Sequence, residues 1–123
     1  MSNNYYNQEQ LCFSELDNGN IEVRLSTILL VQFIPVFFDL LVIGTKVAEN
    51  MSAGTVESSK SAMDLQIPFD GEIVSVNKAL AEQPGLASSK NNGENWIYVI
   101  KPNSANWRDA LMSEEEFKAF MQP

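Results

Sequence analysis

The feature that most constrains the fold of this chain is a pair of extended segments joined by a short polar bridge. Ala53-Gly54-Thr55-Val56-Glu57 reads as one strand and residues 62–67 as the next. In the second, Met63, Leu65 and Ile67 fall on one face, and Ala62, Asp64 and Gln66 on the other. That period of two belongs to a strand buried on one side. Between the segments, Ser58-Ser59-Lys60-Ser61 is small and polar, as a hairpin tip requires.

The rest of the chain carries the same short-strand punctuation. Residues 1–10 are polar and read as a flexible lead-in, which leaves residues 11–123 for a single domain. A short extended piece at 11–16 is followed by a turn at Asp17-Asn18-Gly19-Asn20. Ile21, Val23 and Leu25 then alternate with Glu22, Arg24 and Ser26. Residues 28–43 are apolar and divided by Pro35, and they read as buried strands with a bend. A short helix over residues 27–33 capped by Thr27 is the alternative, and periodicity does not decide between them.

Turn signals at Gly44-Thr45 and at residues 68–71 bracket the hairpin, and residues 72–76 and 96–101 read as further strands. A short helix is expected over residues 77–82, stopped before Pro84, with a loop over 88–95. The stretch 107–121 carries apolar residues at Leu111, Phe117, Phe120 and Met121, and Ser113 and Glu116 are spaced for the capping box of a terminal helix. The sum is a mainly β domain with helices held to its second half.

Composition removes several classes of function. There is no histidine and one cysteine, Cys12, so the usual zinc sites and imidazole-based catalytic dyads and triads cannot be assembled. A lone cysteine also fits a reducing compartment, and a cytoplasmic location is expected. Sixteen acidic residues against eight basic ones give a net charge of −8, which disfavours nucleic acid and anionic membrane surfaces. Residues 28–43 are too short and too interrupted, by Gln32, Pro35 and Asp39, to read as a membrane span.

The hairpin also carries a motif. Val56-Glu57-Ser58 and Lys60, then Asp64, Pro68, Gly71, Val76 and Asn77, stand in the register V-E-S-x-K-A-x-S/A-D-x-x-S-P-x-x-G-x-V-x-x-V-N. This resembles the lipoyl-lysine hairpin of glycine cleavage H proteins. Further on, Asn77, Ala79, Leu80 and Pro84 are similar to the family's N-x-A-L-x-x-x-P helix. Gly93-Glu94-Asn95-Trp96-Ile97, Lys101-Pro102 and the Leu111-Met112-Ser113 segment with Glu116-Phe117 resemble its later motifs. From about Gly44 onward the resemblance is specific.

The resemblance implies a barrel-sandwich hybrid of the lipoyl and biotinyl carrier type, with short helices that include a C-terminal one. It implies covalent lipoate on Lys60, with Asp64 and Glu57 as acidic neighbours of the arm. It also implies a carrier with no catalytic residue or metal of its own. Its partners would be a lipoate ligase or lipoyl transferase, a glycine decarboxylase, an aminomethyltransferase and a dihydrolipoyl dehydrogenase. Serines flank Lys60 here, where biotin carriers have M-K-M, so biotin is a poor match.

The N-terminal half departs from the family. Its opening H-E-W motif, whose glutamate lies in the pocket for the aminomethyl-bearing arm, corresponds to Leu11-Cys12-Phe13. A cysteine thus stands where the carboxylate is expected. The apolar run 28–43 replaces a more polar family segment, either as extra core or as an enlarged apolar surface for a different partner. These changes open two alternatives. One is an H-like lipoyl carrier of a sulfur-redox or lipoyl-relay system; the other is a non-lipoylated interaction module on the same scaffold.

Overall fold

The computed structural model describes residues 4–122. Ten strands run in the order β1 (Asn4–Tyr6), β2 (Leu11–Glu15), β3 (Ile21–Leu25), β4 (Phe37–Leu40), β5 (Lys46–Val47), β6 (Met51–Glu57), β7 (Ala62–Ile67), β8 (Gly71–Val76), β9 (Trp96–Pro102) and β10 (Met112–Ser113). Helices α1 (Thr27–Leu30), α2 (Ala79–Glu82) and α3 (Glu114–Met121) and a 3-10 turn at Pro84–Ser88 are interspersed. The strands form a seven-stranded sheet, β10-β1-β2-β3-β9-β8-β5, and a three-stranded sheet, β4-β6-β7. All strand pairings are antiparallel.

Alternation along the strands explains how the two sheets share one core. Leu11 and Phe13 of β2, Ile21 and Val23 of β3, and Tyr98 and Ile100 of β9 are fully buried from one sheet. Val56 of β6 and Leu65 and Ile67 of β7 meet them from the other. Each such side chain contributes about 1.5–3 kcal/mol by leaving water.

Tyr98 ties the layers together with its hydroxyl. It donates to the Ala53 carbonyl at 2.7 Å and accepts the Leu41 N–H at 2.8 Å, so β9 is fastened to both β6 and the end of β4. Burial pushes the Tyr98 hydroxyl up to about 12.

Residues 4–10 are not a lead-in. Asn4–Tyr6 pairs with β2 on one side and β10 on the other. The buried side chain of Asn7 donates to the Gln66 carbonyl at 3.0 Å and accepts the Leu11 N–H at 2.9 Å. An Asn-rich segment looks flexible by composition, yet here its polar groups complete backbone that would otherwise lack partners. Residues 1–3 of the expected lead-in lie outside the described residues.

The apolar run 28–43 is also not a pair of buried strands. It forms α1, capped by Ser26 rather than Thr27, and then β4. Leu29, Phe33, Pro35 and Phe38 point inward, while Val31, Ile34, Val36, Phe37, Val42 and Ile43 are exposed. The physical reason is position: β4 is an edge strand of a three-stranded sheet, and its alternate residues Phe37 and Asp39 face outward.

At the other end, residues 105–110 are turns, and α3 starts after Ser113. Both bonds of the capping box form, 2.9 Å from the Ser113 N–H to Glu116 and 3.2 Å from the Glu116 N–H to Ser113. Phe117 of α3 then stacks on Tyr6 with ring centroids 4.4 Å apart, covering the outer face of β1 and β2.

Candidate functional site

The hairpin read from the sequence is present, and a bulge shapes it. Ala53 and Val56 both point into the core although they are three residues apart, a spacing that strict alternation forbids. The register shifts between Ser52 and Thr55, and Gly54 inside the shift adopts φ +104. An added Cβ there would lie 2.5 Å from the Asp39 carbonyl oxygen and 3.0 Å from the Tyr98 hydroxyl. Glycine at 54 therefore lets β4 and Tyr98 approach the hairpin closely.

At the tip, Ser58 organises the turn. Its N–H donates to the Ser61 carbonyl at 2.8 Å. Its hydroxyl oxygen accepts the N–H groups of Lys60 at 3.3 Å and Ser61 at 3.2 Å. Lys60 is exposed, and it takes part in none of the salt bridges found among the described residues. Ser59 and Ser61 beside it are exposed as well. The arrangement is a free primary amine on a tip fixed through its backbone.

The two acidic positions sit on the same hairpin. Glu57 ends β6 opposite Ala62, and its carbonyl accepts the Val36 N–H at 2.7 Å. Asp64 faces outward on β7 opposite Thr55 and accepts the Ser52 hydroxyl at 3.3 Å. Both side chains are exposed, on the same two strands whose turn carries Lys60. Cys12 is elsewhere, in the middle of β2 in the other sheet.

Cys12 lines a cavity of about 560 Å³ on the outer face of β1–β3, between α1 and the 88–95 segment. Arg24 forms its floor. The guanidinium donates to Asn95 at 3.1 Å and to Ser14 at 3.0 Å, and pairs with Glu22. Burial pushes the Cys12 thiol up, against the pull of Arg24 and the hydroxyls of Tyr6 and Ser14. The thiol is therefore protonated near neutral pH.

A family model described as glycine cleavage H-protein matches residues 4–123. The chain belongs to the glycine cleavage H-protein family. Similar relatives include the glycine cleavage system H protein of Methylocella silvestris, 40% identical over 87 residues, which are 71% of this chain and 70% of that protein. The Prochlorococcus marinus (strain MIT 9515) H protein is 32% identical over 108 residues, 87% of this chain and 84% of its own. The crystal structure of an H protein from Mycobacterium marinum superposes with a TM-score of 0.83 over 98% of this chain and 97% of that one, at 24% identity. The fold is accordingly the barrel-sandwich hybrid of H proteins, two sheets that do not close into a barrel, with short helices and a C-terminal one.

Several residues of the H-protein motif have structural tasks. Asn77 is buried, and its side-chain amide donates to the carbonyls of Glu94 at 2.9 Å and Trp96 at 2.8 Å, pinning the start of β9. Gly71 stands where a Cβ would come within 2.6 Å of the Lys101 carbonyl oxygen.

Sequence reasoning missed the cavity. It placed Arg24 and Ser26 on a solvated strand face, whereas both are buried beneath α1 and the 88–95 segment. The partner of Arg24 is Asn95, 71 residues away. One signal was available: Arg24 faces Glu22 two positions back, a spacing at which a strand can bury a pair.

Proposed function

We propose that this chain is a lipoyl-carrying shuttle, a single H-protein-like carrier domain bearing lipoate on Lys60. The observation that carries the reading is the exposed Lys60 amine on a turn that Ser58 pins from beneath. A ligase needs such an amine within reach, and the small neighbours Ser59 and Ser61 leave room for its approach. Lipoate, when attached, supplies a dithiol–disulfide couple able to carry a group, a chemistry that no side chain here provides.

The protein's own contribution is positional. A rigid hairpin with a flexible side chain at its tip raises the local concentration of whatever the chain carries to roughly millimolar order at a docked enzyme. Asp64 and Glu57 flank the root of the arm and keep that surface acidic. The net charge of −8 favours encounter with basic docking surfaces. The partners in this reading are a lipoate ligase or transferase and the decarboxylase, aminomethyltransferase and dihydrolipoyl dehydrogenase components of glycine cleavage, or their analogues. Among the described residues no helix is long and apolar enough to cross a membrane.

A second reading concerns the cargo. Cys12 stands where the resemblance calls for a carboxylate, which favours a lipoyl carrier serving a sulfur-redox or lipoyl-relay system. The shuttle itself is tested with a dihydrolipoyl dehydrogenase and NADH. The lipoylated chain should support NADH oxidation in proportion to its concentration, and Lys60→Arg should support none. A lipoylated chain that the dehydrogenase cannot reduce would overturn the shuttle. Loading by a glycine decarboxylase then separates the two cargo readings.

A further inference from the structure

The large apolar side chains that reach solvent are not scattered. Of the eight among the described residues, six fall in one run: Val31, Ile34, Val36, Phe37, Val42 and Ile43. Scattered singly, such residues need no explanation; gathered on one short segment they mark a contact surface. Each is at least half exposed, and together they offer on the order of 600–700 Å², close to the ~800 Å² that each partner gives to a stable interface.

The same segment is almost free of charge. From Leu25 to Thr45 the only charged residue is Asp39, in a protein of net charge −8. Two copies repel one another over acidic surfaces and least through this one. A basic partner would find a single carboxylate here, whereas a second copy brings an equally uncharged face.

β4 lies at the edge of its sheet, and among the described residues it pairs with no strand but β6. An edge strand can pair with its own antiparallel copy across a two-fold axis. Parity limits the register, because residues directly opposite one another face the same side. Phe37 and Asp39 face outward and Phe38 inward. Two registers then keep most of the strand paired: Asp39 across from itself, or Phe38 across from itself. The first sets two carboxylates side by side, which is unfavourable. The second sets Phe37 across from Asp39.

Continued past the strand, the second register brings Ile34 of one copy alongside Val42 of the other. Val42 lines a cavity of about 580 Å³ between the end of β4 and α2, with Phe38, Leu40, Ile43 and Ala81 among its apolar walls. An exposed apolar side chain and an apolar hollow thus meet twice, once on each side of the axis.

We infer that this chain forms a two-fold dimer through β4, joining two three-stranded sheets into one of six strands in the order β7-β6-β4-β4-β6-β7. Phe37 pairs with Glu57 at the tip end of the hairpin, so the antiparallel copies send their Lys60 tips to opposite ends of the joint sheet. The apolar run is covered and both amines stay in solvent. Nothing in the inference depends on what Lys60 carries.

Sedimentation velocity of the full chain from about 10 μM to about 1 mM tests it. The parent chain should pass from monomer to dimer in this range, and added salt should tighten the dimer by screening the negative charge of the two copies. Phe37→Glu sets a carboxylate across from Asp39 and should weaken association at least about tenfold, with the circular dichroism of the parent chain retained. Adding Asp39→Lys to Phe37→Glu should recover most of that loss, a gain that misfolding cannot produce. Phe120→Glu, at an exposed apolar residue of α3, should leave association unchanged. A parent chain that stays monomeric at about 1 mM in high salt would overturn the inference and leave the apolar run to an unlike partner. So would a dimer that Phe37→Glu does not weaken, or that it weakens no more than Phe120→Glu does, or a double variant that shows no recovery.

Discussion

At the scale of single residues, Tyr98 does most to hold the hairpin against the larger sheet. Its hydroxyl serves one backbone acceptor and one backbone donor, at Ala53 and Leu41. Tyr98→Phe should therefore destabilise the fold by about 1–3 kcal/mol in urea denaturation, because both backbone groups lose a partner. The same residue gives a pH dependence. Its folded value of about 12 lies above the ordinary 10.0, so its contribution is complete below pH 10.0 and is lost as pH rises through about 12. Stability measured across that window should fall less steeply in Tyr98→Phe than in the parent chain. The exposed turn that carries Lys60 was legible in the sequence because the small polar residues that make it are adjacent. The Arg24–Asn95 cavity was not, because it depends on a contact between distant segments that no local pattern encodes.

At the scale of elements, legibility followed the same division. The hairpin, the turns and the Ser113–Glu116 cap are local, and they stand where the spacing puts them. The strand Asn4–Tyr6 is not local, since its partners are β2 and β10 and its side chains carry no clear alternation. The apolar run 28–43 failed for a related reason, because only sheet order reveals that β4 lies at an edge. The cap makes a separate prediction. The bond from the Ser113 N–H holds the Glu116 carboxyl below its ordinary 4.5. The helix gains from this above pH 4.5 and loses it as pH falls through the lowered value. Ser113→Ala should cost about 1 kcal/mol and speed hydrogen exchange throughout α3, whereas Glu116→Gln, which removes the titrating carboxyl, should show the smaller acid dependence.

At the scale of the whole molecule, the two sheets make a scaffold whose core is well filled and whose surface is partly apolar. Val31 is 83% exposed and Val42 is 74% exposed, whereas Phe38 in the same run is buried. Val31→Thr and Val42→Thr should change stability by less than about 0.5 kcal/mol, while Phe38→Ala should cost about 3–5 kcal/mol. Thermal and urea unfolding of the three variants would separate surface from core within one short segment. The exposed residues of this run flank β4 on both sides, and β4 is the strand paired with the Lys60 hairpin. The scaffold thus presents a serine-flanked tip next to an apolar edge strand.

The central claim is that Lys60 is the attachment point of the arm, and intact-mass spectrometry after co-expression with a lipoate ligase tests it most directly. One added lipoyl group is expected on the parent chain and none on a folded Lys60→Arg variant. A parent chain that stays unmodified, or a Lys60→Arg chain that still gains the group, would contradict it.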